Sequence, residues 1–224
     1  MAHVIVSYDG TRDDRDALAL GKLFAKAGAQ VSLAYVRHAP EPDPARELEV
    51  QGEAERLLAV GANELDGASA SVGKHVIVNP STADGLAALA GELGADVIAF
   101  SSSYRTPAGR VELPHTAEQL LDLGIACSLA LAPAGLAREP GEQSIASVGV
   151  YEADGDRAAS ESAKSLASAL GAVVSDEHAD LLVVASRGAA PAGELSLSGI
   201  ERERIEQARS PVLMLARGAQ LSFG

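Results

Sequence analysis

The stretch DVIAFSS at residues 96–102 returns as DLLVVAS at 180–186, 84 positions further on. Each is a short run of aliphatic and β-branched residues ending in serine, the pattern of a buried strand that leaves into a turn. A second pair keeps nearly the same spacing: CSLALAP (127–133) reappears as SPVLMLA (210–216), offset by 83. Two matches at nearly equal offsets predict an internal duplication. Working outward, SIASVGVY (144–151) corresponds to the opening run HVIVSY (3–8), and RAASESAKSLASALG (157–171) to the segment after it.

The first copy reads as alternating strands and helices. After HVIVSY, residues Ala17, Leu18, Leu20, Gly21, Phe24 and Ala25 fall at helical spacing, with Gly28 as a stop. QVSLAYV (30–36) is a second strand. Pro44 then opens a helix that carries Leu48, Leu57 and Leu58 and is expected to end near Gly61. KHVIV (74–78) is a third strand, with Ser81 or Thr82 capping a helix stopped by Gly94. DVIAFS (96–101), a helix over 116–123 and CSLALA (127–132) complete five strands and four helices, an order that implies a parallel sheet covered on both faces. The second copy is shorter. After AVV (172–174) it runs directly into its fourth-strand equivalent, so that a helix, a strand and a helix are missing. The expected organisation is therefore a full α/β domain over 1–134, a linker over 135–143 rich in proline and glycine, a truncated α/β domain over 144–218, and a tail over 219–224.

Composition narrows the function. A net charge of −13, divided as −8 over residues 1–140 and −5 over 141–224, argues against nonspecific nucleic-acid binding, which needs clustered cations. Forty-three alanines, no tryptophan and seven phenylalanines and tyrosines fit closely packed helix on sheet. The opening MAHVIVSYDG does not read as a signal sequence, and no apolar run reaches the roughly 18 residues of a membrane helix, so a cytoplasmic protein without membrane contact is expected. One cysteine, Cys127, excludes an intrachain disulfide and reads as a small buried residue. His38, His75, His115 and His178 stand singly, without metal-ligand spacing. No metal is expected.

In an open parallel sheet, ligands bind beyond the carboxyl ends of the strands, where the strand order reverses. In the first copy that rim carries Asp9, Gly10 and Thr11 after the first strand and SSSYRTPAGR (101–110) after the fourth. Asp9 suits a ribose hydroxyl or a base amino group, and suits equally a turn preceding the first helix. Serines 101–103, His115 and Asp9 are the inventory of an activated nucleophile, but no G-x-S-x-G elbow exposes a serine, so a hydrolase is the most remote reading. Arg105 and Arg110 bracket the first loop and Arg187 stands in the second. They are local anion contacts or ordinary solvated charges.

These residues carry a resemblance. VIVSYDGT, DVIAFSSS, DLLVVASRG, IACSLALAP and RSPVLMLARG together make the chain resemble the universal stress protein (UspA-like) family, in a tandem form with a truncated second copy. The resemblance implies two doubly wound, Rossmann-like α/β domains of strand order 3-2-1-4-5, the second shortened, joined through their last strands as an internal pseudo-dimer. In ATP-binding members the fourth strand is followed by Gly-x-x-Gly, nine residues and Gly-Ser/Thr, with an aspartate after strand one and a valine ending strand two at the nucleoside. Asp9 and Val36 match the nucleoside positions. The glycine positions are held by Ser101, Tyr104 and His115, with Thr116 retained, and in the second copy by Ala185, Gly188 and Ser198, followed by Gly199. Glycines let backbone N–H groups approach phosphates without a Cβ in the way. The implied function is a non-catalytic stress-response or signalling protein, acting through an unidentified protein partner as monomer or homodimer, with ATP binding weakened or lost. The alternative is binding of ATP, AMP or adenosine, weakly, in the first copy by Asp9, Gly10, Thr11, Val36, Ser101, Ser102, Ser103, Tyr104, Arg105, His115 and Thr116, with Arg187 and Gly188 as the remnant in the second.

Overall fold

A computed structural model describes residues 1–11, 14–65, 71–138, 144–152, 157–175 and 179–224. His178 and residues 139–143 of the expected linker lie outside the described residues. The first copy runs β1 (His3–Ser7), α1 (Asp14–Lys26), β2 (Gln30–Arg37), α2 (Pro44–Glu64), β3 (Val72–Val78), α3 (Thr82–Leu93), β4 (Val97–Ser101), α4 (His115–Asp122) and β5 (Ser128–Ala132). After a 3-10 turn at Leu136–Arg138 follow β6 (Ser147–Tyr151), α5 (Arg157–Leu170), β7 (Val173–Ser175), β8 (Leu181–Ala185), α6 (Gly199–Gln207) and β9 (Val212–Leu215).

The strands form one continuous sheet in the order β3-β2-β1-β4-β5-β9-β8-β6-β7. The first copy has the order 3-2-1-4-5, and the second repeats it without a third strand. Neighbours are parallel within each copy. The copies meet where β5 pairs antiparallel with β9, through Leu129↔Met214, Ala130↔Leu213 and Leu131↔Val212. Every residue of β5 and β9 is buried, which makes the seam part of the core. Two hydrogen bonds reinforce it: Ser128 Oγ accepts from the Ala216 N–H at 3.2 Å, and the Ile125 carbonyl from the Leu195 N–H at 3.0 Å.

Alternation along the strands sends side chains to two cores, and both cores run through both copies. On one face Val4, Val31 and Ala99, with Val183 and Leu213 of the second copy, pack under α1, α2 and α5. On the other Ile5, Ala34, Ile98 and Leu129, with Val184 and Met214, pack under α3, α4 and α6. Local signals set the ends. Asp43 and Ser81 cap α2 and α3, and Gly94 closes α3 in the left-handed region at φ +59°.

Two details depart from the sequence reading. Gly61 does not end α2 but lies inside it, because a Cβ there would stand 2.8 Å from the Tyr8 ring and 3.0 Å from Leu33. Residues 219–224, expected as a tail, contribute Leu221 and Phe223 to the core between α1 and α5. Phe223 stacks on Phe24 at 6.0 Å. Ser162 and Ser165 of α5 accept the N–H groups of Leu221 and Phe223, while the Gly224 N–H donates to the Ala27 carbonyl at 2.8 Å. The C-terminal segment thus ties the two copies together on the face opposite α3 and α4.

Candidate functional site

A cavity of about 520 Å³ opens over the carboxyl ends of β1 and β2. Ser7, Tyr8, Asp9 and Thr11 form one wall, and Val36, Arg37, His38 and Glu41 the other. Val50 of α2 and the first turns of α3 (Thr82) and α4 (Thr116) complete it. Val36 is held at the floor because α3 carries Gly85 there; a Cβ at that position would lie 3.2 Å from the valine methyl.

The polar walls are fixed from behind. The buried Arg37 guanidinium grips both carboxylate oxygens of Glu47 at 2.8 and 2.7 Å and donates to Gln51 at 3.2 Å. This bidentate partner holds the Glu47 carboxyl at about 2, and the same carboxylate accepts the Glu41 N–H at 2.8 Å. Arg37 is therefore committed to shaping the wall between β2 and α2. His38 faces the Pro80 carbonyl with its Nδ1 at 3.3 Å. On the opposite wall the Asp9 carboxylate accepts the Thr11 N–H at 2.9 Å, while its own N–H donates to Asp14 Oδ2 at 2.5 Å. Burial, with the adjoining Asp9 carboxyl, raises the Asp14 carboxyl to about 7, and hydrogen bonds keep Asp9 below the ordinary carboxylate value.

Of the residues singled out in the sequence, Asp9, Thr11, Val36 and Thr116 share this cavity. Gly10 lies beside it at φ +79°, where a Cβ would collide with Leu57. Ser102, Ser103 and Tyr104 line a separate hollow of about 180 Å³, with Asp16 and Arg138. Ser101 ends β4 in register with Ala132. Tyr104 is 72% exposed, with the Arg105 guanidinium 5.0 Å over its ring. His115 is an exposed side chain whose Nδ1 lies 3.9 Å from Glu118. Arg187 and Gly188 belong to the matching loop of the second copy, where the Arg187 carbonyl meets Arg217 at 3.4 Å.

The loop after β4 is closed on itself. Ser102 is buried; its hydroxyl donates to the Ala132 carbonyl at 2.7 Å and accepts the Glu112 N–H at 3.2 Å. The N–H groups of Ser103, Thr106 and Arg110 donate to carbonyls of the same loop, and that of Gly109 to Ala134. The second copy repeats this frame. Ser186 donates to the Ser196 carbonyl and accepts the Ser196 N–H, both at 2.9 Å, while Arg187, Ala190, Gly193 and Glu194 take the bonds of Ser103, Thr106, Gly109 and Arg110. A loop built this way directs few of its backbone donors outward.

Among the described residues the second copy also lacks the cavity's walls, since no α2, β3 or α3 equivalent stands between β7 and β8. Matching Val4 and Val148 through their pairing with β4 and β8 puts Tyr151 where the first copy has Ser7. The Arg204 guanidinium lies 5.4 Å over that ring, occupying the space above it. The sequence reading did not find Asp14, Arg37 or Glu47. Glu47 and Asp14 carry the general mark of acidic residues near a helix start, which does not separate a site residue from a cap.

A family model described as the universal stress protein family matches residues 1–123. No curated protein matches the chain. A universal stress protein from Archaeoglobus fulgidus DSM 4304 superposes with a TM-score of 0.65 at 15% identity, over 96% of this chain and 98% of that one. A putative universal stress protein from Pseudomonas aeruginosa UCBPP-PA14 gives 0.61 at 15% identity, over 97% and 93%. A further A. fulgidus universal stress protein, solved in complex with dAMP, gives 0.46 at 16% identity, over 59% and 98%. The two longer alignments cover both copies and share the fold.

Proposed function

The chain belongs to the universal stress protein family, and on that premise we propose that it is a non-catalytic stress-response or signalling protein whose first copy takes an adenosine- or AMP-sized ligand and binds ATP weakly. One observation carries the reading. One cavity holds the two residues that match the nucleoside positions, Asp9 and Val36, with Thr116, the retained threonine of the phosphate pattern, at its edge, while the loop that would hold phosphates bonds its own donors through Ser102. In this reading Asp9 accepts from a ribose hydroxyl or a base amino group, and Val36 flanks a planar ring. Residues 1–134 and 144–218 act in this reading as one unit, the second copy bracing the first across β5–β9. Its output is a protein contact made in the cytoplasm.

Each backbone hydrogen bond to a charged phosphate is worth about 1.5–3 kcal/mol. Two lost contacts weaken ATP roughly a hundredfold or more, since about 1.4 kcal/mol is a factor of ten. Calorimetric titration with ATP, ADP, AMP and adenosine tests this, together with mass spectrometry of protein denatured after purification to detect a retained nucleotide. The expected order is adenosine or AMP tighter than ADP, and ADP tighter than ATP. Micromolar ATP affinity, or ligand occupancy indifferent to Asp9→Ala, would overturn the proposal.

A further inference from the structure

We propose that Glu41 is a specificity-determining residue of the cavity, turning it towards an uncharged nucleoside and away from the same nucleoside carrying a phosphate; the inference rests on the reading of the cavity as a nucleoside site. Two carboxylates line the same space from opposite walls, Asp9 beyond β1 and Glu41 beyond β2. Glu41 lies in the connection from β2 to α2 and is exposed, but its backbone is tethered. Its N–H donates to Glu47 Oε2 at 2.8 Å, and Glu47 is gripped at both oxygens by the buried Arg37. One ion pair thus ties the segment bearing Glu41 to the end of β2 and keeps that residue in the wall.

The same ion pair decides the sign of the field. Among the described residues that line the cavity, Arg37 is the one permanent cation, and its guanidinium is engaged by Glu47 and Gln51. With Glu47 cancelling Arg37, Asp9 and Glu41 leave a surplus of two negative charges. Neither Arg105 nor Arg110 of the loop after β4 lines the cavity, and Arg105 stands over the Tyr104 ring at 5.0 Å. Helix starts attract anions in general, yet the two at the rim carry carboxylates of their own, Asp84 in α3 and Glu118 in α4. Arg12 and Asp13, opposite in charge, lie outside the described residues. A phosphate monoester brings nearly two negative charges at neutral pH. In this cavity it meets charge of its own sign.

Calorimetric titration of adenosine and AMP tests the inference at about 20 mM and about 500 mM salt, between which the Debye length falls from roughly 20 Å to roughly 4 Å. A doubly charged group about 8 Å from one carboxylate in a water-like medium is disfavoured about fivefold. With two carboxylates in the walls, the parent protein should bind adenosine about 25-fold more tightly than AMP at low salt, and the gap should narrow at high salt. Glu41→Gln should reduce the low-salt ratio to about fivefold, and Glu41→Lys should bring AMP level with adenosine. Glu92→Gln removes the same charge from an exposed position at the far end of α3 and should leave the ratio within about twofold of the parent's, which separates a local field from net charge. A parent that binds AMP as tightly as adenosine at low salt, or a ratio that Glu41→Gln moves no further than Glu92→Gln does, would overturn the role of Glu41 and leave the cavity reading standing. Failure of adenosine to bind the parent at low salt would overturn the cavity reading, and this inference with it.

Discussion

Replacing Ser102 by alanine separates a hydroxyl that braces the loop from one that faces a ligand. Ser102 Oγ makes two bonds inside the protein, to the Ala132 carbonyl and from the Glu112 N–H, at a buried position. The carbonyl keeps a second donor, the Ser102 N–H at 3.1 Å, but the Glu112 N–H loses its partner. Glu112 is exposed and this bond only partly buried, so the abandoned donor costs about 1 kcal/mol, the low end for such groups. In a chain of this size each kcal/mol lowers the melting temperature by roughly 2–4 °C, so Ser102→Ala should melt roughly 2–4 °C lower. Ser186→Ala should cost a similar amount, because Ser186 makes the same pair of bonds to Ser196. The double variant should be additive within about 0.5 kcal/mol, the expectation for separate sites with no shared partner. Scanning calorimetry reads the stability, and adenosine and ATP titrations read the site. Affinities should stay within about twofold of the parent. A variant with unchanged melting and a tenfold loss of ATP affinity would refute the reasoning, since it would mean that the hydroxyl serves the ligand and not the loop.

Glu47 has its carboxyl held at about 2 against an ordinary 4.5 by Arg37, so its contribution to stability is complete above about pH 4.5 and is lost as pH falls towards 2; denaturation across that range should show a loss that is absent in Glu47→Gln. Cys127, pushed by burial up to about 12, should resist thiol reagents at pH 8 in the native protein and react only on unfolding, which mass spectrometry of alkylated protein would show. Phe223→Ala removes the ring stacked on Phe24 and should destabilise by about 3–5 kcal/mol, the range for a buried phenylalanine; urea titration measures it.

The duplication was legible because strands buried on both faces must be continuous apolar runs. DVIAFSS and DLLVVAS needed no partner to be recognised, and the truncated copy follows from what is missing between AVV and DLLVVAS. The meeting of the last strands came from family resemblance, since CSLALAP alone does not say what lies beside it, and its antiparallel sense came only with the structure. Within the cavity, Asp9 and Val36 were legible as ends of strands. Arg37, Glu47 and Asp14 were not, because their roles depend on neighbours 10 and 5 residues away along a path that only the fold fixes. Gly61 was misread for a related reason: a glycine that ends a helix and one that admits a tyrosine ring look alike in sequence. Residues 219–224 carry no periodicity, and their contacts with Phe24, Ser162 and Ser165 are all distant in the chain. His3 is buried with its Nε2 2.9 Å from the Ser32 hydroxyl, a partner 29 residues away, and its burial lowers its pKa.

The seam between β5 and β9 gives the order of synthesis a consequence. The ribosome finishes β5 at Ala132 and does not finish its partner until Leu215, 83 residues later. At about 5–20 residues per second the interval is roughly 4–17 s. Throughout it the nascent first copy presents SLALA, a strand with every side chain destined for the core, as an unpaired edge. Neighbouring nascent chains on one messenger present the same edge at the same stage. A ribosome stalled between residues 135 and 209 should therefore hold a product that pairs with its neighbours or recruits a chaperone, whereas release of the whole chain lets β9 close the edge from within.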